Sequence, residues 1–232
     1  MAPPVVSLPS LGIAGLALAV AAAFLVAVRR VAPERLPRAA VGVAAWMALW
    51  LAAAAAGVLA RFDLRPPPFA VLFVATIAIA LALGRSRLGG RLARGLPLAA
   101  LVGFHAFRLP LELLLYRAAV EGVMPVQMSF SGWNFDIVTG ATALVLLPVA
   151  DRVPRAVVAA WNLLGLALLA TIVAIAVAST PLFGAFGPDR LNTFVAYPPY
   201  VWLPAVLVAA ALVGHIVILR RLAQRDGATI TA

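Results

Sequence analysis

A chain of 232 residues that is 65% hydrophobic and 11% charged, with a mean hydropathy of +1.08, has too few polar side chains to cover a water-soluble fold. Lipid must be the solvent for most of it. The formal net charge of +10 rests on arginine alone, because the sequence contains no lysine, and it contains no cysteine either. Disulfides, thiolate metal sites and thiol catalysis are thereby excluded, with the redox compartment left undecided. A retinal-type Schiff base is excluded with them.

Apolar runs of about 17 to 25 residues can cross a hydrocarbon core roughly 30 Å thick. Seven are placed, at approximately 11–28, 40–60, 67–84, 96–118, 135–150, 156–178 and 200–219. The predicted fold class is therefore all-α, a polytopic membrane helical bundle of seven transmembrane helices forming a single integral membrane domain over 1–232. The fifth run is the shortest, with Asn134 and Asp136 at its start and Asp151-Arg152 at its close.

Arginine placement sets the orientation, because basic residues near span ends are retained in the cytoplasm. The segments after spans one, three, five and seven hold thirteen arginines, those after spans two, four and six hold four, and Arg108 lies within a span. This predicts an N-terminus outside and a C-terminus in the cytoplasm. The arginines follow the first apolar run rather than precede it, so that run reads as a span and not as a cleaved signal peptide. The positive charge is read as topology, and no nucleic-acid partner is expected. The basic stretch 85–94 is a candidate contact for anionic lipid headgroups. No P-loop, dinucleotide fingerprint, soluble domain or internal repeat is found.

Span four carries the most informative residues. On a helix of 3.6 residues per turn, His105, Arg108 and Glu112 share one face. Ionisable side chains at bilayer depth are costly and rare, so this stripe must face the bundle or a water-filled cavity. Pro110 in the same helix removes a backbone hydrogen bond and predicts a kink. Arg108 and Glu112, four residues apart, can simply neutralise each other. The arginine-then-glutamate order is, however, the less favourable one for an intrahelical pair.

Polar residues crowd the outer loop that follows: Glu121, Gln127, Ser129, Ser131, Asn134 and Asp136 fall within sixteen residues. Helix capping accounts for Asn134 or Asp136 but not for the whole group. A second outer loop, 179–199, carries Asp189, Arg190, Asn192 and several aromatic residues, and reads as a lid or as part of an aromatic belt. The candidate ligand-binding set is thus His105, Arg108, Glu112, Glu121, Ser129, Asn134, Asp136, Arg190 and Asn192. Trp161, Asn162 and His215 are further polar positions in spans six and seven. A bis-histidine haem on His105 and His215 is disfavoured. His105 stands about nine residues from the cytoplasmic end of its run and His215 about five, a mismatch of roughly 6 Å at 1.5 Å per residue. His105, Glu112 and Asp136 lack the dense spacing of a metal motif. Neither a cofactor nor a metal is expected.

The stretch Phe107-Arg-Leu-Pro-Leu-Glu112, the run from Met124 through Asn134-Phe-Asp-Ile to Gly140, and Tyr200-Val-Trp-Leu-Pro204 followed by His215 resemble a family of bacterial multi-pass membrane proteins. The resemblance covers roughly residues 100 to 221. It implies a bacterial inner-membrane protein and attaches no chemistry to it. The seven-span plan also resembles rhodopsins and SWEET-like sugar transporters, but the rhodopsin lysine and the Pro-Gln motifs of the sugar transporters are missing, which makes both likenesses architectural.

Three functional expectations follow. The first is binding or transport of a small polar or anionic molecule at an outward-facing site between spans four, five and seven. There Arg108 would hold an anionic group while Glu112, Asn134 and Asp136 orient a polar or amine group. The second is a membrane-embedded enzyme for a lipid-borne substrate, with His105 or Glu112 as acid or base. The third is a sensory or assembly subunit without turnover.

Overall fold

The structure, a computed structural model, describes residues 6–224, and its regular elements are all helical, with no strand among the described residues. Six helical stretches are long and apolar enough to cross a bilayer, so this is a membrane protein. They run over Leu8–Val31, Pro33–Ala55, Pro68–Arg85, Leu98–Val120, Arg155–Ala178 and Leu203–Leu222.

Local sequence explains where each begins and ends. Helix α1 (Leu8–Val31) opens on a reciprocal cap in which the Ser7 and Ser10 side chains accept from each other's backbone N–H, and its last turn carries Arg29 and Arg30, which suit the negative end of the helix dipole. Helices α2 (Leu36–Ala55) and α3 (Pro68–Arg85) each have proline in the first turn, where the missing N–H is no loss. Ser86 ends α3 and caps α4 (Arg87–Gly95), its hydroxyl accepting from the backbone N–H groups of Leu88 and Gly89. Helix α4 buries Leu88, Leu92 and Ala93 while Arg87 and Arg94 stay exposed.

The fourth apolar stretch is interrupted at the site residues. Helix α5 (Leu98–Phe104) passes through a 3₁₀ turn, His105–Phe107, into α6 (Arg108–Val120). Pro110 cannot donate to the carbonyl of Ala106, and the backbone tightens where that bond is missing. The fifth apolar run is shorter as a helix than its 16 expected residues. Helix α7 spans Ile137–Leu146, ten residues or about 15 Å. Pro148 then breaks the ladder, and the chain continues as turns to Val153. Helix α8 (Arg155–Ala178) follows. The last stretch starts as a π-helical turn, Leu203–Val208, containing Pro204, and continues as α9 (Ala209–Leu222).

Cross-links define two ends of the bundle. At one, Arg91 pairs with Glu34, Arg220 Nη1 donates to the carbonyls of Gly84 and Ser86 at 2.7 Å, and Arg155 Nη1 donates to the carbonyl of Gln224 at 2.8 Å. At the other, Gln127 Nε2 donates to Ser179 Oγ (3.0 Å) and to the carbonyl of Arg190 (2.9 Å). Two tryptophans tie α2 to the final stretch: Trp46 Nε1 donates to the carbonyl of Ala205 (3.0 Å) and Trp202 Nε1 to that of Met47 (3.1 Å). One apolar core surrounds Trp50, Tyr200 and Leu207, and a second, toward the arginine-rich end, surrounds Val28, Ala93 and Ile218.

Candidate functional site

Where α6, α7, α8 and α9 meet, Arg108, Glu112, Asn134, Asp136, Asn162, His105 and His215 are each 3% exposed or less. Two glycines permit the approach. A Cβ on Gly140 of α7 would stand 2.3 Å from the backbone nitrogen of Leu109, and one on Gly165 of α8 would stand 2.7 Å from the His215 ring. Only a residue without a side chain lets α7 and α8 close on Arg108 at these points.

Arg108 is held by Asp136 and His215, although its Nη2 makes no hydrogen bond of regular geometry. Its Nε donates to Asp136 Oδ2 at 2.6 Å, and Nη2 forms an ion pair with the same carboxylate oxygen. Nη1 donates to His215 Nε2 at 2.8 Å and reaches the Gly165 carbonyl at 3.5 Å. Thr139 Oγ1 donates to Asp136 Oδ1 at 3.1 Å, which holds the carboxylate in place. From the sequence, Glu112, Asp136 or another acid could partner Arg108, and in the structure the partner is Asp136.

The far side of the cluster follows from what a guanidinium can do. It has donors only, so His215 Nε2 accepts and the ring proton resides on Nδ1, which donates to Asn162 Oδ1 at 2.9 Å. Asn162 Nδ2 donates back to the His215 carbonyl at 3.3 Å. The His105 ring lies against that of His215, with centroids 4.1 Å apart, and edge-on to Trp161 at 5.7 Å. Neither ring nitrogen of His105 has a hydrogen-bond partner. The expected depth mismatch between the two histidines is corrected here. With helix bounds at Leu98 and Leu222, each lies seven residues from the arginine-rich end. The two rings are tilted by 36° to each other, and both His215 nitrogens are already bonded. Among the described residues no group of three or more His, Cys, Asp or Glu converges on a metal-sized site.

Glu112 is differently placed. Its Oε2 accepts from Asn134 Nδ2 at 2.7 Å, and Oε1 accepts no hydrogen bond from any described residue. Asn134 is itself held by donation to the Met128 carbonyl (3.1 Å) and by accepting the backbone N–H of Asp136 (3.1 Å). Glu112, Arg108 and Asp136 form one wall of a cavity of about 100 Å³. Its other walls are mainly apolar, with Phe69 and Phe73 from α3, Phe107, Leu169 and Ile172 from α8, and Leu207. Thr180 and Asn192 line it as well. Asn192 Nδ2 donates to the Ala176 carbonyl at 3.0 Å, and its buried Oδ1 lacks a donor.

The remaining candidates lie outside the cluster. Glu121 is exposed and pairs with Arg117 at 2.8 Å, one helical turn away. Ser129 is buried, but its hydroxyl donates to the Val126 carbonyl and bonds Ser131 Oγ at 2.7 Å, which makes it part of a turn. The Arg190 side chain is exposed, and only its carbonyl is used, by Gln127. His215, Asn162, Thr139, Gly140 and Gly165 belong to the cluster and were not among the candidates. Asn162 and Gly165, three apart on one apolar helix, were the available signal. Compared with protein family models, with curated proteins and with solved structures, the chain matches none.

Proposed function

We propose that this is a bacterial inner-membrane protein that crosses the bilayer seven times, N-terminus outside and C-terminus in the cytoplasm, and binds or transports a small molecule at the Glu112 cavity. The seven crossings are supported by the cross-links between elements. The segments after α6 and α8 are joined through Gln127, whereas the start of α8 meets the end of α9 through Arg155, so α7 and the turns after it carry the chain from one end to the other. The thirteen-to-four arginine split supports the orientation. Membership of the bacterial seven-span family resembled by the Phe107–Gly140 pattern belongs to the same reading.

One observation carries the choice of ligand: Glu112 keeps a carboxylate oxygen unbonded beside the cavity, while Arg108 is neutralised by Asp136. The site therefore asks for a hydrogen-bond donor or a cation rather than an anion, and Asn192 Oδ1 is a second acceptor in the lining. The phenylalanine walls suit the apolar body of an organic ammonium ion. A cavity of about 150 Å³ accommodates benzene, so 100 Å³ calls for a compact molecule.

Thermal unfolding of the purified protein with methylammonium and with acetate tests the reading. Stabilisation by the ammonium ion and not by acetate is expected, and it should vanish in Glu112→Gln. Equal stabilisation of wild type and Glu112→Gln sinks it. The enzymatic alternative, with His105 and Glu112 as acid and base, draws support from the unpartnered His105 nitrogens, but His105 is absent from the cavity wall. A sensory or assembly role uses the same ligand site without transport or turnover.

A further inference from the structure

A second space lies on the opposite face of the final helix, between α1 and α2 on one side and α3 and α9 on the other. It is an open crevice of about 720 Å³. Its wall on α1 runs from Val20 to Arg30, ten residues or about 15 Å at 1.5 Å per residue, which is the depth of one leaflet in a hydrocarbon core of roughly 30 Å. The Trp46 and Trp202 bonds tie its walls together at the inner end, and Arg30 lines the opposite end.

The interior of the crevice is apolar. Phe24, Val43, Ile79, Leu83 and their neighbours are apolar, the Thr76 hydroxyl is spent on the Leu72 carbonyl at 2.8 Å, and Trp46 Nε1 on that of Ala205. A buried water needs two to four polar partners, and away from Arg30 the side chains of the lining offer little beyond the acceptor oxygen of Thr76. The mouth has the opposite character. Arg30 lines it, is exposed, and pairs with no acid among the described residues. Helix α4 turns Leu88 and Leu92 into the crevice while carrying Arg87, Arg91 and Arg94, and the nearby Glu34 is already engaged by Arg91 and Arg35.

We infer that this crevice is a binding site for an anionic phospholipid of the arginine-rich leaflet, one acyl chain lying along α1 and the headgroup held at Arg30 beneath α4. An apolar slot one leaflet deep with an unpaired guanidinium at its mouth matches such a lipid in length, polarity and charge. The site is separate from the Glu112 cavity and does not depend on what binds there.

The test is lipid retention. Wild-type protein is equilibrated in nanodiscs with equal phosphatidylglycerol and phosphatidylcholine, transferred to mild detergent and measured by native mass spectrometry. One retained phosphatidylglycerol is expected, favoured about fivefold, the effect of one arginine near an anionic surface. Arg30→Gln should bring the two lipids toward parity. A Cβ on Gly42 meets nothing within 4 Å, so Gly42→Phe projects its ring into the crevice and should abolish retention. Ile79→Trp does the same from the other wall if Gly42→Phe does not fold. Equal retention of both lipids by wild type, an unchanged preference in Arg30→Gln, or a full complement of lipid in a folded crevice-filling variant would overturn the assignment.

Discussion

Arg108 and His215 lie 107 positions apart in sequence and share a 2.8 Å hydrogen bond that decides the chemical state of the histidine. Because the guanidinium only donates, His215 must present a bare Nε2 and carry its proton on Nδ1 toward Asn162. Selective ¹⁵N labelling of histidine and NMR in detergent should show one ring in the Nδ1–H tautomer. Asn162→Leu removes the acceptor and leaves that proton unsatisfied, at a cost of roughly 1–3 kcal/mol in stability. A His215 resonance typical of Nε2–H would mean that the Arg108 contact does not form in the membrane protein.

The charge balance of the cluster gives a second prediction, because Arg108 has Asp136 and not Glu112 as its ion-pair partner. Arg108→Met or Asp136→Leu alone strands a buried charge and should destabilise by about 3–5 kcal/mol, whereas the double variant should recover most of that loss. Replacing Glu112 strands no arginine. A double-mutant cycle of thermal or denaturant unfolding should therefore give a large coupling between positions 108 and 136 and a small one between 108 and 112. The reverse ranking would return Glu112 to the role of structural counter-ion and remove it from the ligand site.

Much of this arrangement was legible in the sequence, and the rest was not for identifiable reasons. His105, Arg108 and Glu112 are buried as their shared helical face requires, since three ionisable groups at bilayer depth have nowhere else to go. Asp136 as partner depends on how closely α7 approaches α6, which is set by Gly140, far along the chain from the stripe and without a periodic signature. The histidine contact was hidden by helix ends misplaced by two or three residues. At 1.5 Å per residue such errors accumulate to the width of a side chain. Glu121 and Arg190 entered the candidate set because polar residues are dense in their loops. Local density says nothing about direction, and both point away from the cluster.

The last prediction concerns the passage of the chain between α6 and α8. Helix α7 has ten residues, too few to span by itself, so the fifth of the seven proposed crossings depends on the turns from Leu147 to Val153 completing the path. Absence of native cysteine makes single-cysteine labelling direct. Asp63, Arg87, Asp151 and Asp189 are all exposed. In intact cells a membrane-impermeant maleimide should modify Asp63→Cys and Asp189→Cys, while Arg87→Cys and Asp151→Cys should react only after permeabilisation. The Asp151 position discriminates most sharply, because it lies just beyond the Pro148 break. If Asp151→Cys is modified from outside, the Ile137–Val153 segment dips into the membrane and returns, six crossings remain, and the arginines at 152 and 155 lose their place on the cytoplasmic side.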